Sequence, residues 1–168
     1  MKQSKVVLTN PVTSLTRLLM ISILMATTMI LFSGCGGAPK RENVGLQISA
    51  TADVNPDLQG RPSPIILHVL ELNSEEQFNR LDYMSLTQSS GAALGPDLLG
   101  KTRFVLSPGD NRNLPLELNP QTTFVGLVAG YRDIDNANWR KSIPITQGDT
   151  KGIYITLELQ SIVTTVSD

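Results

Sequence analysis

The chain has one cysteine, one histidine and one tryptophan among its 168 residues, with 5 % aromatic and 17 % charged positions. Each scarcity removes a class of function. A lone cysteine, Cys35, excludes an intrachain disulfide and a cluster of thiolate metal ligands. A lone histidine, His68, leaves no imidazole-rich metal site and only one ordinary candidate for a catalytic base. The formal charge is −1, so the basic footprint that nucleic acid requires is missing. The main apolar run, Leu18 to Phe32, is about fifteen residues long, short of the ~20 that carry a helix across a bilayer core.

What is present begins with that run. Lys2, Lys5 and Arg17 are the only charges before it, and the small residues Ser33 and Gly34 follow it. Together they read as the basic segment, apolar segment and small-residue cleavage site of a secretory signal. Cys35 then falls where a lipoprotein is cleaved and lipidated, its sulfur taking a diacylglyceryl group and its freed amine an acyl chain. An uncleaved anchor is the competing reading, and the shortness of the run weighs against it. The expected organisation is a cleaved signal peptide over 1–34, a lipidated cysteine with its tether over 35–43, and one domain over 44–168. No cofactor is expected beyond the covalent lipid. Loss of residues 1–34 removes three bases and no acid, leaving 11 basic against 15 acidic residues, a balance of −4. Gly36 to Asn43 reaches about 28 Å at most, so the domain stays near its lipid. An Asp after the lipidated cysteine commonly retains lipoproteins in the inner membrane. Gly36 stands there instead and points to the outer membrane, on its periplasmic face.

Beyond the tether the pattern is that of strands. Val44, Leu46, Ile48 and Ala50 alternate with polar neighbours. Ala52 to Pro64 holds three prolines and a glycine and reads as a stiff loop, and Ile65 to Leu72 as a second strand. Ser74 with Gln77 predicts a capping box opening a short helix with Phe78 and Leu81 on one face. Further turns are expected over Asp82–Gln88 and Gly95–Gly100. Strands resume over 102–106, 112–118, 122–131, 139–145, 153–159 and 162–166, separated by turns such as Ser107–Asp110. Seven to eight short strands with a short helical insert give an all-β class and a β-sandwich. The strand 122–131 is apolar on both faces, Phe124 and Val128 on one and Val125, Leu127, Ala129 and Tyr131 on the other. That predicts the helical insert over its outer face.

Candidate chemical residues are few. His68 lies mid-strand among Ile66, Val69 and Leu70, where a solvent-facing or satisfied core histidine is the expectation. Asp133, Asp135 and Asn136 lack the full ligand spacing of a calcium loop and read as a solvated turn. Trp139 and Arg140 offer a stacking face and a forked donor, but on an alternating strand Trp139 is expected in packing and Arg140 at the surface or in an ion pair.

Asn55-Pro56-Asp57, Gly60-Arg61-Pro62-Ser63-Pro64, Phe78 with Asp82 and Leu86, and Leu94-Gly95 before Asp97-Leu98-Leu99 together resemble the TssJ lipoproteins of type VI secretion, also called SciN or VasD. Leu106-Ser107-Pro108-Gly109, Val128 to Asp133 and Trp139-Arg140 continue the likeness through nearly the whole expected mature chain. Gly130 departs from it, standing where a larger residue is expected. The resemblance implies a transthyretin-like β-sandwich with added helices and a non-enzymatic outer-membrane lipoprotein. It implies binding to the periplasmic C-terminal domain of TssM, which works with TssL. It also implies that the loop between the first two strands makes that contact, here Asp53, Val54, Asn55, Pro56, Asp57, Leu58, Gln59, Gly60, Arg61, Pro62 and Ser63. Pro56, Pro62 and Pro64 lower the entropy lost on docking, Leu58 supplies an apolar anchor, and Asp57 and Arg61 a polar rim. The alternative is a periplasm-facing lipoprotein that binds a glycan or another soluble ligand, since a sandwich alone does not fix function.

Overall fold

The computed structural model describes residues 41–168, together with Met20. Alternation sets the first strand, β1 (Glu42–Ala50), whose Val44, Leu46, Ile48 and Ala50 are buried. After it come β2 (Ile65–Leu72), three short helices α1 (Glu76–Arg80), α2 (Tyr83–Gln88) and α3 (Ser90–Leu94), and a 3-10 turn (Gly95–Asp97). The chain then runs through β3 (Leu98–Leu106), β4 (Asn111–Leu118), β5 (Phe124–Ala129), β6 (Arg140–Pro144), β7 (Gly152–Leu157) and β8 (Ile162–Ser167). Two four-stranded sheets result, in the orders β4-β1-β7-β8 and β3-β2-β5-β6. Neighbours are antiparallel except β1 with β7. Pro115 and Pro144 both fall on edge strands, where a missing N–H costs no ladder bond.

The main core lies between the sheets and includes Leu46, Ile48, Leu67, Val69, Leu127 and Ile155. A second cluster forms on the other face of β2 and β5 from Leu70, Leu72, Phe78, Leu86, Leu94 and Val128. This is the cover predicted from the two apolar faces of β5. Gly126 permits the close approach, because a Cβ there would stand 2.9 Å from both Leu72 Cδ1 and Phe78 Cε2.

Helices of five or six residues are not stable on propensity alone, so tertiary contacts hold these. The guanidinium Nη1 of Arg140 donates to the carbonyls of Phe78 (3.0 Å) and Leu81 (2.8 Å) at the end of α1. Its carbon lies 5.0 Å from the centroid of Trp139. Arg140 is thus neither a free surface residue nor an ion-pair partner among the described residues: the last carbonyls of α1 capture it. Lys101 does the same for α2, donating to Thr87 O (2.8 Å) and to Ser90 Oγ (2.9 Å). Trp139 packs against both clusters, as expected for a packing residue, with Tyr83 edge-on at 5.6 Å.

Several local expectations are corrected. The capping box does not form: α1 begins at Glu76, Glu75 provides no side-chain cap, and Ser74 Oγ accepts only from Glu76 N–H at 3.3 Å. The Glu75 carboxylate is taken instead by the Ser142 hydroxyl of β6. Only Gly95–Asp97 is helical in the last predicted turn, because Leu98 and Gly100 already pair with Leu72 and Glu71. His68 is buried at 8 % exposure, and its Nδ1 has no hydrogen-bond partner among the described residues, so it neither faces solvent nor is fully satisfied in the core. The small Gly130 has a reason in the neighbouring helix: the Tyr83 hydroxyl stands 2.9 Å from where a Cβ would be.

Candidate functional site

The loop from Asp53 to Ser63 joins β1 in one sheet to β2 in the other. Its base is built into the core. Val54 is fully buried, and its carbonyl accepts from Ser63 N–H at 3.1 Å, closing the loop at its neck. Asn55 adopts φ +51°, a left-handed conformation that Asn tolerates better than most residues. Three hydrogen bonds fix it there. Its N–H donates to Leu159 O (3.1 Å), its Nδ2 to Pro64 O (2.8 Å), and its Oδ1 accepts from Arg132 N–H (2.7 Å). One buried residue therefore ties the loop to the start of β2 and to the segment after β5 through its side chain, and to the β7–β8 turn through its backbone.

The tip is a second, independent unit. Asp57 N–H donates to Arg61 O (2.9 Å), and Gly60 N–H to Asp57 O (2.8 Å), with Gly60 at φ +75°. The Asp57 carboxylate accepts from the N–H groups of Gln59 and Arg61, each at 2.9 Å, and pairs with the Arg61 guanidinium at 2.7 Å. That side-chain bond from Arg61, followed by the backbone bonds, holds Asp57 below the ordinary carboxylate range. Leu58 projects from this closed turn fully exposed.

The sequence assigned the stiffness to Pro56, Pro62 and Pro64. Side chains add a larger set of constraints, since those of Asn55 and Asp57 between them make five bonds within and around the loop. Asp57 and Arg61, expected to supply charges for a polar rim, also pair with each other. The groove beside the tip, of about 710 Å³, has Pro56, Leu58 and Arg61 on one side and Arg132, Asp133 and Gln160 on the other. Asp133 accepts from Asn136 Nδ2 (2.9 Å) and from Gln160 Nε2 (3.1 Å), which fixes that second wall. Nothing in the local sequence around residues 132 or 160 signals this wall; it exists because β5 and the β7–β8 turn end beside the loop. Cys35 and the tether up to Lys40 lie outside the described residues.

A preformed loop with one apolar side chain at its tip, standing over an open groove at the end of a sandwich, defines a scaffold that presents an ordered loop to solvent. The chain belongs to the family described as type VI secretion lipoprotein, VasD, EvfM, TssJ, which matches residues 42–160 and so contains the loop. Its structure is similar to that of the type VI secretion lipoprotein TssJ1 from Pseudomonas aeruginosa. The two are 34 % identical, with a TM-score of 0.73 over 77 % of this chain and 98 % of that one. It is also similar to Serratia marcescens Lip, a membrane-bound component of the type VI secretion system, at 25 % identity and a TM-score of 0.67 over 74 % of this chain and 96 % of Lip. A chain of a type VI membrane complex shares the fold at 20 % identity, with a TM-score of 0.66 over 74 % of this chain and 98 % of that one. Comparison with curated proteins gives no match.

Proposed function

We propose that this protein is a non-enzymatic tether of the type VI secretion membrane complex. Its lipidated Cys35 holds it to the periplasmic face of the outer membrane, after cleavage of residues 1–34. Its domain binds the periplasmic C-terminal domain of TssM, within a complex that includes TssL. Family membership and the cysteine after the apolar run support the anchor. The observation that carries the docking end is the loop Asp53–Ser63, pinned by Asn55 and Asp57 and offering a fully exposed Leu58. An ordered loop loses little entropy on binding, and an apolar side chain already held in water gains by being covered.

Leu58 touches only solvent at its tip, so Leu58→Asp leaves the fold intact and acts on binding alone. The expected result is at least a tenfold rise in the dissociation constant for the TssM periplasmic domain, measured by interferometry on the detergent-solubilised full chain, with an unchanged thermal midpoint. Unchanged affinity would move the interface off this loop.

A further inference from the structure

The four sheet edges are not alike. β4 carries Pro115 with Arg112 and Glu117. β3 carries Lys101 and Arg103, and β6 carries Arg140 and Lys141 and ends on Pro144. Such residues blunt an edge, whose unpaired N–H and C=O groups otherwise form a template for another strand. β8 reads Ile162-Val163-Thr164-Thr165-Val166-Ser167 and has neither proline nor charge. Exposed apolar side chains gather on the same hairpin: Tyr154, Leu159, Val163 and Val166 all face water.

The free part of this edge has defined limits. The bond from Glu158 N–H to Ser161 O (2.9 Å) fixes the hydrogen-bonded pairs between β7 and β8. Counting in twos puts Val163 and Thr165 in such pairs, which aims the backbone groups of Ile162, Thr164 and Val166 away from β7. Before Ile162 the edge is covered, because Asn138 bridges Ser161 and donates its N–H to Gln160 O at 2.8 Å. Among the described residues the open run is therefore Ile162–Val166, with Thr164 at its centre.

We propose that β8 pairs antiparallel with β8 of a second copy of this chain, about a two-fold axis at Thr164. Directly opposed residues of an antiparallel pair share a face of the sheet, so the register must bring even-numbered residues together. Centring it on the open run sets Ile162 against Val166, Val163 against Thr165, and Thr164 against its own counterpart. Every pair is β-branched, the type that packs well across strands, and no like charges meet. An uncharged, self-complementary edge fits a second copy, where a charged partner strand would find nothing to pair with. The two sheets join into one of eight strands. A five-residue pairing buries less than the ~1,600 Å² of a standard interface, so the contact suits copies held at high density rather than dilute ones. It uses neither the loop nor the groove, and its success or failure is separate from that of TssM docking.

Cysteine crosslinking of the full chain in the membranes of expressing cells tests it. The opposed Thr164 residues would place their Cα atoms about 5.5 Å apart, within the range a disulfide spans. Thr164→Cys should give a disulfide dimer of twice the chain mass, at no less than five times the yield of Val105→Cys, an exposed position on the other sheet. Adding Val163→Lys should cut that yield at least fivefold. If Thr164→Cys does not accumulate, copies carrying Val163→Cys mixed with copies carrying Thr165→Cys report the same contact. Equal yields at 164 and 105, monomer alone, or a disulfide to a different protein would each overturn the proposal.

Discussion

Asn55 and His68 are both buried polar residues, and they stand at opposite ends of the range of satisfaction. Asn55 is 3 % exposed and bonded through both side-chain atoms, which fixes the loop. His68 is 8 % exposed with Nδ1 unpaired, and burial, then the charges of Lys101 and Arg103, lower its pKa from the ordinary 6.5. The folded chain therefore resists a proton that the unfolded chain accepts. This contribution to stability is complete above about pH 6.5 and is lost as pH falls toward the depressed folded value. His68→Leu should flatten the fall in unfolding free energy between pH 7.5 and 5.5 without lowering the midpoint at pH 7.5, because an apolar replacement also removes the unpaired nitrogen. Urea unfolding at several pH values checks this, and an unchanged slope would assign the pH dependence to other groups. The apolar run Ile65 to Leu72 placed His68 on a strand; it could not show how deeply the residue would be buried.

At the scale of elements, the strands were legible and the helical insert only partly so. Strand alternation is a property of consecutive residues, so β1 and β7 appear in the sequence with boundaries shifted by a residue or two. The insert depends on partners far along the chain. Ser74 offered a local cap, yet α1 is secured at its other end by Arg140, some sixty positions away. Serine, glycine and alanine dominate α3, and it shows no clear period; Leu94 in the second cluster holds it. Arg140→Ala removes two bonds from a charged donor to helix-end carbonyls and the stacking on Trp139. The expected cost is about 2–4 kcal/mol, with Arg140→Lys recovering less than half, since an ammonium lacks the planar fork. Hydrogen exchange should show lost protection over residues 76–94 while β1 and β7 keep theirs. Uniform loss would mean that the insert and the sandwich unfold as one unit.

For the whole molecule, composition and strand count led to a sandwich, and ordered motifs led to the family that residues 42–160 match. Half of the candidate site was visible in the same way. The loop stood out through its prolines and Gly60, while the wall of Arg132, Asp133 and Gln160 arises only when distant strands end side by side. The proposed tether needs both of its ends at once, the lipid on Cys35 and the tip at Leu58. Flotation of lipid vesicles reconstituted with the full lipidated chain measures both together. The soluble TssM periplasmic domain should float with vesicles carrying the unchanged chain. It should stay at the bottom of the gradient with Leu58→Asp, which itself still floats, and with Cys35→Ser, which does not. Flotation of the TssM domain with either variant as with the unchanged chain would contradict the two-ended account.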